Sequence, residues 1–218
     1  MRRNDAIAVL LMALSLTPGV ALAQRRPRSH PSRTVPPEKL DERISQVRQL
    51  AARAPAMAEE VKPLLALAEE FRVEARQKVE AGQAYSAGRL AGASSSIAEA
   101  IEMMVGAHMK TPLRADPVRP RHREDSPERE AARELGMAYF RMAQLDFFSR
   151  QPGAGKIVDL ARLSRRLYQE GRAAYDRDEV TAALQLAVAS RELSSAFEKY
   201  IQAQLPEELP PPPKVDRE

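Results

Sequence analysis

Residues 160–193 constrain the fold of this chain more than any other stretch. They contain two amphipathic helical patterns joined by the polar turn Asp176-Arg177-Asp178-Glu179, each with one apolar stripe at three- and four-residue steps. The facing positions are small: Gly171, Ala174, Ala183, Ala187 and Ser190. Tyr175 is a further packing candidate. Small residues let two helix axes approach to about 8 Å, the near end of the usual packing range. The stretch therefore predicts a tightly packed antiparallel helical hairpin.

The N-terminus has the pattern of a secretory signal peptide. Arg2 and Arg3 precede an apolar run at residues 6–16, and Ala21-Leu22-Ala23 supplies a small-x-small cleavage pattern. The apolar run is shorter than the roughly 20 residues that span a bilayer. We therefore expect cleavage after Ala23, no transmembrane span after cleavage, and a periplasmic or secreted protein. The absence of cysteine removes disulfides, thiolate ligands and lipid attachment through a thiol.

Composition favours an all-α chain. Tryptophan is absent, glycine is scarce at 9 residues, and the 17 prolines cluster between the periodic segments. The formal net charge is only +4, and the basic residues do not alternate with aromatic residues. These features disfavour nucleic acid as a partner. The fold class we expect is two stacked three-helix units, joined by a linker rich in proline and arginine.

Proline-rich and periodic segments alternate along the chain and divide it into regions. The regions are a signal peptide 1–23, a basic linker 24–37, a helical unit 38–110, a linker 111–125, a second helical unit 126–205 and a proline-rich tail 206–218. In the basic linker, weak contact with an anionic surface is one interpretation and a solvated spacer is the other; the arginines concerned are Arg25, Arg26, Arg28 and Arg33. Ser126 and Pro127 predict the start of a helix, as N-cap and first helical residue.

The two helical units resemble each other in order and composition. Each has a leading helix, a long helix that ends near an Ala-Tyr pair, a turn and a helix rich in small residues. In the first unit, we predict a stripe that runs through Gly82 to Tyr85 and a turn at Ser86-Ala87-Gly88. Tyr85 and Tyr175 lie ninety residues apart, and this offset suggests an internal duplication of a unit that stacks on its copy.

The same positions resemble the helix-turn-helix of tetratricopeptide repeats over about thirty residues in each half. The matching positions are Gly82, Tyr85, Ala93 and Ile97 in the first half and Gly171 and Ala183 in the second. Lys78 and Leu167 stand where the repeat has tryptophan, and the ninety-residue offset differs from the 34-residue period. The resemblance implies a helical scaffold that binds a peptide or protein, with no catalytic residues to carry over.

The residues that could carry chemistry do not form a recognisable catalytic, metal or cofactor site. Among the three histidines, only His108 lies within a helical pattern, and no second metal ligand accompanies it in the sequence. Glu99 and Glu102 lie one helical turn apart and could share a cation, although such pairs usually face solvent. Residues 153–156 (GAGK) lack the first glycine and the hydroxyl residue of a phosphate-binding loop. We therefore expect no enzyme activity, no cofactor and no metal.

Aromatic residues are concentrated in the second half of the chain, which contains eight of the ten Phe and Tyr residues. One interpretation is a larger core in that half. The other is a groove, between the helix at 127–150 and the final hairpin, that binds a segment of a partner. The partner-binding candidates are Tyr139, Phe140, Phe147 and Phe148. The expected function is an exported scaffold or interaction module of the cell envelope that binds another envelope protein or peptide; the alternative is a small-ligand or metal-responsive sensor with a cavity near His108.

Overall fold

The computed structural model describes residues 37–110 and 126–204, and the regular structure in these two ranges is helical throughout. The six α-helices are α1 (Pro37–Ala52), α2 (Ala58–Glu80), α3 (Ala84–Met109), α4 (Pro127–Phe148), α5 (Val158–Asp176) and α6 (Val180–Ala203). Short 3₁₀ turns at Pro55–Met57 and Ala154–Ile157 precede α2 and α5. Three helices fall in each half, so the prediction of an all-α fold is confirmed.

Several of the regions inferred from the sequence lie outside the described residues. They are the signal peptide 1–23, the linker 24–37 apart from Pro37, the linker 111–125 and the tail 206–218. The four arginines Arg25, Arg26, Arg28 and Arg33 belong to this group. Among the helices of the described ranges, none combines the length and the apolar character needed to cross a bilayer.

Helices α3 and α6 form the centre of the fold. Their extensive mutual contact is flanked by α1 and α2 against α3 and by α4 and α5 against α6. Large apolar side chains of the two central helices, including Ile97, Ile101, Leu193 and Phe197, are fully buried. One continuous hydrophobic core takes residues from all six helices. The two halves therefore share a core rather than each closing around its own.

The α5–α6 hairpin packs as closely as its small residues predict. A methyl group added at Gly171 would lie 3.2 Å from Cβ of Leu186 and 3.4 Å from backbone atoms of Ala183 and Ala187. Ala183 and Ala187 have no exposed surface, while Tyr175 is half-buried beside them. The hairpin turn closes with a hydrogen bond of 2.9 Å from the Glu179 amide to the carbonyl of Ala174. Gly171, Ala183 and Ala187 therefore lie at the closest approach of the two helices.

The first hairpin differs from its prediction at the turn. Helix α2 ends at Glu80 and α3 begins at Ala84, so the turn precedes the predicted Ser86-Ala87-Gly88. Gly82 adopts a φ of +74° and is exposed, and the Gln83 amide bonds the carbonyl of Lys78 at 2.8 Å. This left-handed glycine ends the helix, and Tyr85 is 43% exposed at the start of α3. The prediction that Gly82 and Tyr85 pack the hairpin is therefore wrong, whereas Ala93 is fully buried as expected.

The structure aligns the two halves at an offset of ninety-six residues rather than ninety. Helices α2 and α5 end at residues 80 and 176, and α3 and α6 begin at residues 84 and 180, ninety-six apart in both cases. The hydroxyl of Ser94 donates to the carbonyl of Ala68 at 2.6 Å, and that of Ser190 donates to the carbonyl of Ser164 at 2.8 Å. Both pairs span twenty-six residues and are related by the same offset. The Ala-Tyr match at ninety residues arose from helical periodicity.

Candidate functional site

Helix α4 is a peripheral helix whose position depends on small residues. Its N-terminus is capped by the hydroxyl of Ser126, which accepts a hydrogen bond from the Arg129 amide at 3.4 Å, and Pro127 occupies the first position as predicted. On its inner side, Ala131 packs against Ala174 of α5 and Ala183 of α6. This alanine contact brings α4 directly onto the α5–α6 hairpin. Little room is left for large side chains between them.

Four large apolar side chains of α4 nevertheless point outward. Tyr139 is 63% exposed, Phe140 57%, Phe147 65% and Met137 43%. A typical monomer exposes few large aromatic side chains in one place, and continuous exposed apolar patches often mark interaction sites. Three aromatic side chains of this exposure present on the order of 350 Å² of surface. The largest exposed apolar patch of an ordinary monomer has a similar size.

Helical spacing arranges part of this surface as a continuous line. Gly136, Phe140, Ala143 and Phe147 follow at steps of four, three and four residues, and all four are exposed. At roughly 100° per residue these positions share one side of α4, opposite the buried Leu135, Ala138 and Leu145. We call these four residues together with Met137 the α4 outer face. A methyl group added at Gly136 would have no neighbour within 4 Å.

The four predicted partner-binding residues do not form one groove. Phe140 and Phe147 lie together on the α4 outer face, whereas the Tyr139 ring turns toward α5 and lies 6.1 Å from the ring of Tyr168. Phe148 is half-buried and packs against the core, with its ring edge-on to Phe147 at 5.4 Å. Ala131 brings α4 into direct contact with the final hairpin, and the groove between them stays a prediction. The aromatic surface lies on the outside of α4.

Arginines lie at the ends of the α4 outer face. Arg129 and Arg133 are exposed near its N-terminal end, and Arg150 is exposed just beyond its C-terminal end. By helical spacing, Arg129 and Arg133 share the side of Phe140. The Arg133 guanidinium lies 3.8 Å from carboxylate oxygens of both Glu130 and Glu134. Guanidinium groups therefore lie at both ends of the apolar line, but those at the N-terminal end lie among the carboxylates of Glu130 and Glu134. The C-terminal end, beside Arg150, is the better match for an acidic residue of a ligand.

A separate cleft of about 720 Å³ lies between α2 and the start of α5. Its apolar lining includes Leu64, Leu67 and Leu163. At one end, Nζ of Lys156 bonds a carboxylate oxygen of Glu70 at 2.7 Å, and this hydrogen bond raises the pKa of Lys156. The sequence signal here was the GAGK stretch. Its glycines form the turn before α5, and its lysine bridges to α2.

The same lysine lies over a pair of stacked rings. Phe71 and Tyr200 stack at a centroid distance of 5.0 Å, and Nζ of Lys156 lies 5.9 Å and 5.7 Å from the two ring centroids. Cation–π attraction of this kind contributes about 0.5–1 kcal/mol at exposed sites. Because Phe71 belongs to α2 and Tyr200 to α6, the contact joins the two halves of the fold. Its clearest role is structural.

His108 lines a second cleft, of about 470 Å³, together with apolar side chains that include Met57, Met104 and Leu167. The imidazole itself is exposed near the C-terminal end of α3. Glu99 and Glu102 of α3 both face Arg43 of α1, whose guanidinium lies 3.3 Å and 3.6 Å from their carboxylate oxygens. This arginine supplies the positive charge that a shared cation would otherwise bring. No group of three His, Asp or Glu residues within residues 37–110 and 126–204 is arranged to hold a metal.

A buried polar network joins α3 to α6. Nζ of Lys199 lies 2.8 Å from the hydroxyl of Ser96, which in turn lies 2.9 Å from a carboxylate oxygen of Glu192. Burial lowers the pKa of Lys199. A lysine beside a serine is a chemically competent pair in some hydrolases, but Ser96 is only 3% exposed in the helix interface. In this conformation the hydroxyl is inaccessible to a substrate, and the network fixes how the two central helices pack.

Searches against protein-family models, curated proteins and solved structures found no match. The resemblance to tetratricopeptide repeats therefore stays a prediction. Among the described residues, three of the four exposed aromatic side chains belong to α4.

Proposed function

We propose that this chain is an exported, non-enzymatic interaction module of the cell envelope that binds a protein partner through the α4 outer face. The observation that carries the proposal is the exposure of Phe140 and Phe147 in one line on a helix that buries its opposite side. Aromatic side chains at the centre of an interface often carry most of the binding free energy. An exposed line of this kind is suited to an apolar segment of another protein.

The charges around the face support a partner of particular chemistry. Arg150 is exposed at the C-terminal end of the apolar line, so a ligand segment with apolar anchors gains attraction there from an acidic flank. Flanking charges of this kind mainly raise the association rate and the sensitivity to salt. We therefore expect partner binding to weaken as ionic strength rises.

A non-enzymatic role is supported by the positions of the reactive side chains. Ser96 is buried between the central helices and bonded to Lys199, and Arg43 forms ion pairs with both Glu99 and Glu102. The export part of the proposal rests on the sequence of residues 1–23. It is tested by expression with the native N-terminus: the protein from the envelope fraction should begin at Gln24, and an intact N-terminus in the cytoplasm would contradict it.

Paired surface variants test the binding surface. Phe140→Ser with Phe147→Ser removes both anchors, and Val79→Ser removes a similarly exposed side chain, 61% exposed, from α2. Partners captured by cross-linking in envelope extracts should be lost with the double variant and kept with Val79→Ser. A purified partner should bind the double variant at least 30-fold more weakly, corresponding to about 2 kcal/mol.

Two results would contradict the proposal. One is equal binding of a purified partner by the double variant and the wild-type protein. The other is a loss of thermal stability in Phe140→Ala as large as that caused by Phe197→Ala, which truncates a fully buried side chain. Phe140 would then be a core residue in solution and unable to present a surface. We expect the melting temperature of Phe140→Ala to change little, since its ring is mostly exposed.

The alternative, a small-ligand sensor, is favoured by one observation: the cleft beside His108 falls within the usual volume range of ligand sites. Met57, Met104 and Leu167 give it an apolar lining suited to a small amphipathic ligand. A ligand present at 100 times its dissociation constant would stabilise the fold by about 2.7 kcal/mol. A ligand-dependent rise in melting temperature that His108→Ala removes would favour this function over the first.

A further inference from the structure

The α4 outer face lies next to the point where the chain leaves α6. The side chain of Gln204 reaches Gly153, since its Cγ would lie 3.8 Å from a methyl group placed there. Glu134 of α4 forms an ion pair with Arg191 of α6, and Arg141, further along α4, forms one with Glu198, further along α6. The two helices therefore run in the same direction. Residues 205–218 begin at the end of the molecule where the α4 outer face also ends.

The composition of this following segment complements the face. Residues 205–218 contain five prolines, at positions 206 and 210–213, four acidic residues, at positions 207, 208, 216 and 218, and two basic residues, at positions 214 and 217. Proline-rich segments bind aromatic surfaces because their extended helix is already formed and loses little entropy. The acidic residues at positions 207 and 208 precede the proline run without a basic neighbour, whereas those at positions 216 and 218 are accompanied by the basic residues. On the α4 outer face, Phe147 lies near the exposed Arg150, so the charges match best at this end.

Length and spacing agree with an antiparallel run along α4. Fourteen residues of polyproline helix span about 43 Å at 3.1 Å per residue. Phe147 and Phe140 are about 10 Å apart along α4, close to the span of residues 210–213. From Phe140 to Arg129 the helix rises about 16 Å, and the segment from Pro213 to Glu218 covers about the same length. Glu207 and Glu208 then fall beside Arg150.

We infer that residues 205–218 occupy the α4 outer face of their own molecule and compete there with the protein partner. This inference rests on the proposed function only for its consequence, since the intramolecular contact is testable without a partner. A short tether gives an effective concentration on the order of 1 mM. A contact with a dissociation constant of about 1 mM then covers half of the molecules and weakens partner binding about twofold. A tighter contact acts as a stronger inhibitor.

The lack of native cysteine allows a direct proximity test in the full chain. Gly136→Cys with Val215→Cys places two thiols within disulfide distance in the proposed register, because the bond requires Cα atoms about 4.4–6.8 Å apart. The new side chain at Gly136 enters open space, so the fold is undisturbed. Under mild oxidation at low micromolar protein, we expect an intramolecular disulfide, detected by non-reducing gel mobility and mass spectrometry.

Val79→Cys with Val215→Cys is the matched control. Val79 is exposed on α2, about 12 Å along the helix from Phe71, and Phe71 stacks on Tyr200 of α6. This position is therefore also within reach of the segment. The Gly136 pair should form its disulfide at least tenfold faster than the control pair. Adding Phe140→Ser and Phe147→Ser to the Gly136 pair should slow its disulfide formation to within about twofold of the rate of the Val79 control pair.

A charge exchange provides a second measurement. Arg129→Glu should slow the Gly136–Val215 disulfide about threefold, and adding Glu218→Arg should restore the rate. An acidic residue in the first turn of α4 is favourable for the helix, so slowing cannot be attributed to loss of α4. The inference is overturned if the Gly136 and control pairs react equally, if neither charge variant changes the rate, or if the disulfide forms between two molecules. In the last case a second copy is the occupant.

The outcome is separable from that of the proposed function. If the disulfide forms quickly within one molecule in the absence of a partner, and its rate depends on Phe140 and Phe147, this would support the segment contact alone. Partner binding that is lost in the double variant, together with equal cross-linking of the test and control pairs, would support the proposed function and overturn the contact.

Discussion

At the residue scale, two helical glycines lie in opposite surroundings. Gly171 faces α6 with Leu186, Ala183 and Ala187 close to the place of a side chain, whereas Gly136 faces open space on the α4 outer face. Neither has a positive φ, so alanine fits the backbone at both sites. The difference between them is therefore purely a difference in neighbours.

The same substitution should change stability in opposite directions at these sites. Gly136→Ala should raise the free energy of unfolding by about 0.5–1 kcal/mol, because alanine favours the helix. Gly171→Ala gains the same propensity but crowds a rigid contact, and overpacking costs about 1–3 kcal/mol. We expect a net loss of about 1 kcal/mol in urea denaturation. Stabilisation by Gly171→Ala would contradict the close hairpin.

The ion pairs of Asp41 in α1 with arginines of α2 should make the stability of the fold depend on pH. A hydrogen bond of 2.6 Å from Arg72, reinforced by the charges of Arg72 and Arg76, holds the pKa of Asp41 below its ordinary value. Its stabilising contribution is therefore present above the ordinary aspartate pKa and disappears as pH falls through the lowered value. Arg72→Ala should raise the pKa of Asp41 toward its ordinary value in an NMR titration. Because the pair is partly exposed, the loss of stability should stay below about 1 kcal/mol.

At the scale of elements, the α5–α6 hairpin shows how small residues define a contact. The hydroxyl of Ser164 lies 2.9 Å from the carbonyl of Ser190 and 2.8 Å from the hydroxyl of Ser194, in a fully buried site. Serine here has nearly the volume of alanine, and its hydroxyl finds a partner across the interface. The hairpin thus combines close approach with satisfied polar groups.

Ala183→Leu should disturb this hairpin and α4 together. Ala183 has no exposed surface and packs with Ala131 and Ala174 where three helices meet. A larger side chain must push at least one helix away, and we expect a loss of about 1–3 kcal/mol in the free energy of unfolding. Thermal denaturation of the variant checks this. A neutral result would show that the three helices do not meet closely in solution.

Helical periodicity predicted the six helices and the second hairpin, but it missed features that depend on single backbone conformations or on tertiary contact. The apolar stripe continued past Gly82, although its left-handed conformation ends α2 there. The sequence singles out the aromatic residues of α4 as candidates for partner binding, but α4 has apolar residues on two sides. Periodicity alone does not tell which side is buried. The alanine contact of Ala131 decides it, and a sequence pattern carries little information about such a contact.

At the scale of the whole molecule, the two halves, which are related by an offset of ninety-six residues, share one hydrophobic core. Equivalent hydroxyl–carbonyl bonds at Ser94 and Ser190 hold α2 to α3 and α5 to α6. The two central helices then pack on each other and share buried side chains with every other helix. Neither half therefore has a complete core without the other. The sequence predicted the repetition, and the structure corrects its offset.

This shared core predicts a single unfolding transition. Most of the tyrosines lie in the second half, so tyrosine fluorescence reports mainly on that half while circular dichroism reports on all helices. Ile97→Ala, a truncation in the fully buried part of α3, should lower the free energy of unfolding by about 2–5 kcal/mol. Both signals should still change together in urea. Separate transitions would show that the halves fold independently.

The alanine-rich attachment of α4 has a consequence for how occupancy of its surface can be read out. Two of its four buried anchors, Ala131 and Ala138, are alanines, so separating this helix from the rest exposes little apolar area, and opening of this kind requires less free energy than global unfolding. Anything that covers the other side of the helix also resists that opening. Cleavage by a protease within residues 127–148 should therefore slow when the surface is occupied, and amide hydrogen exchange in this helix should slow with it.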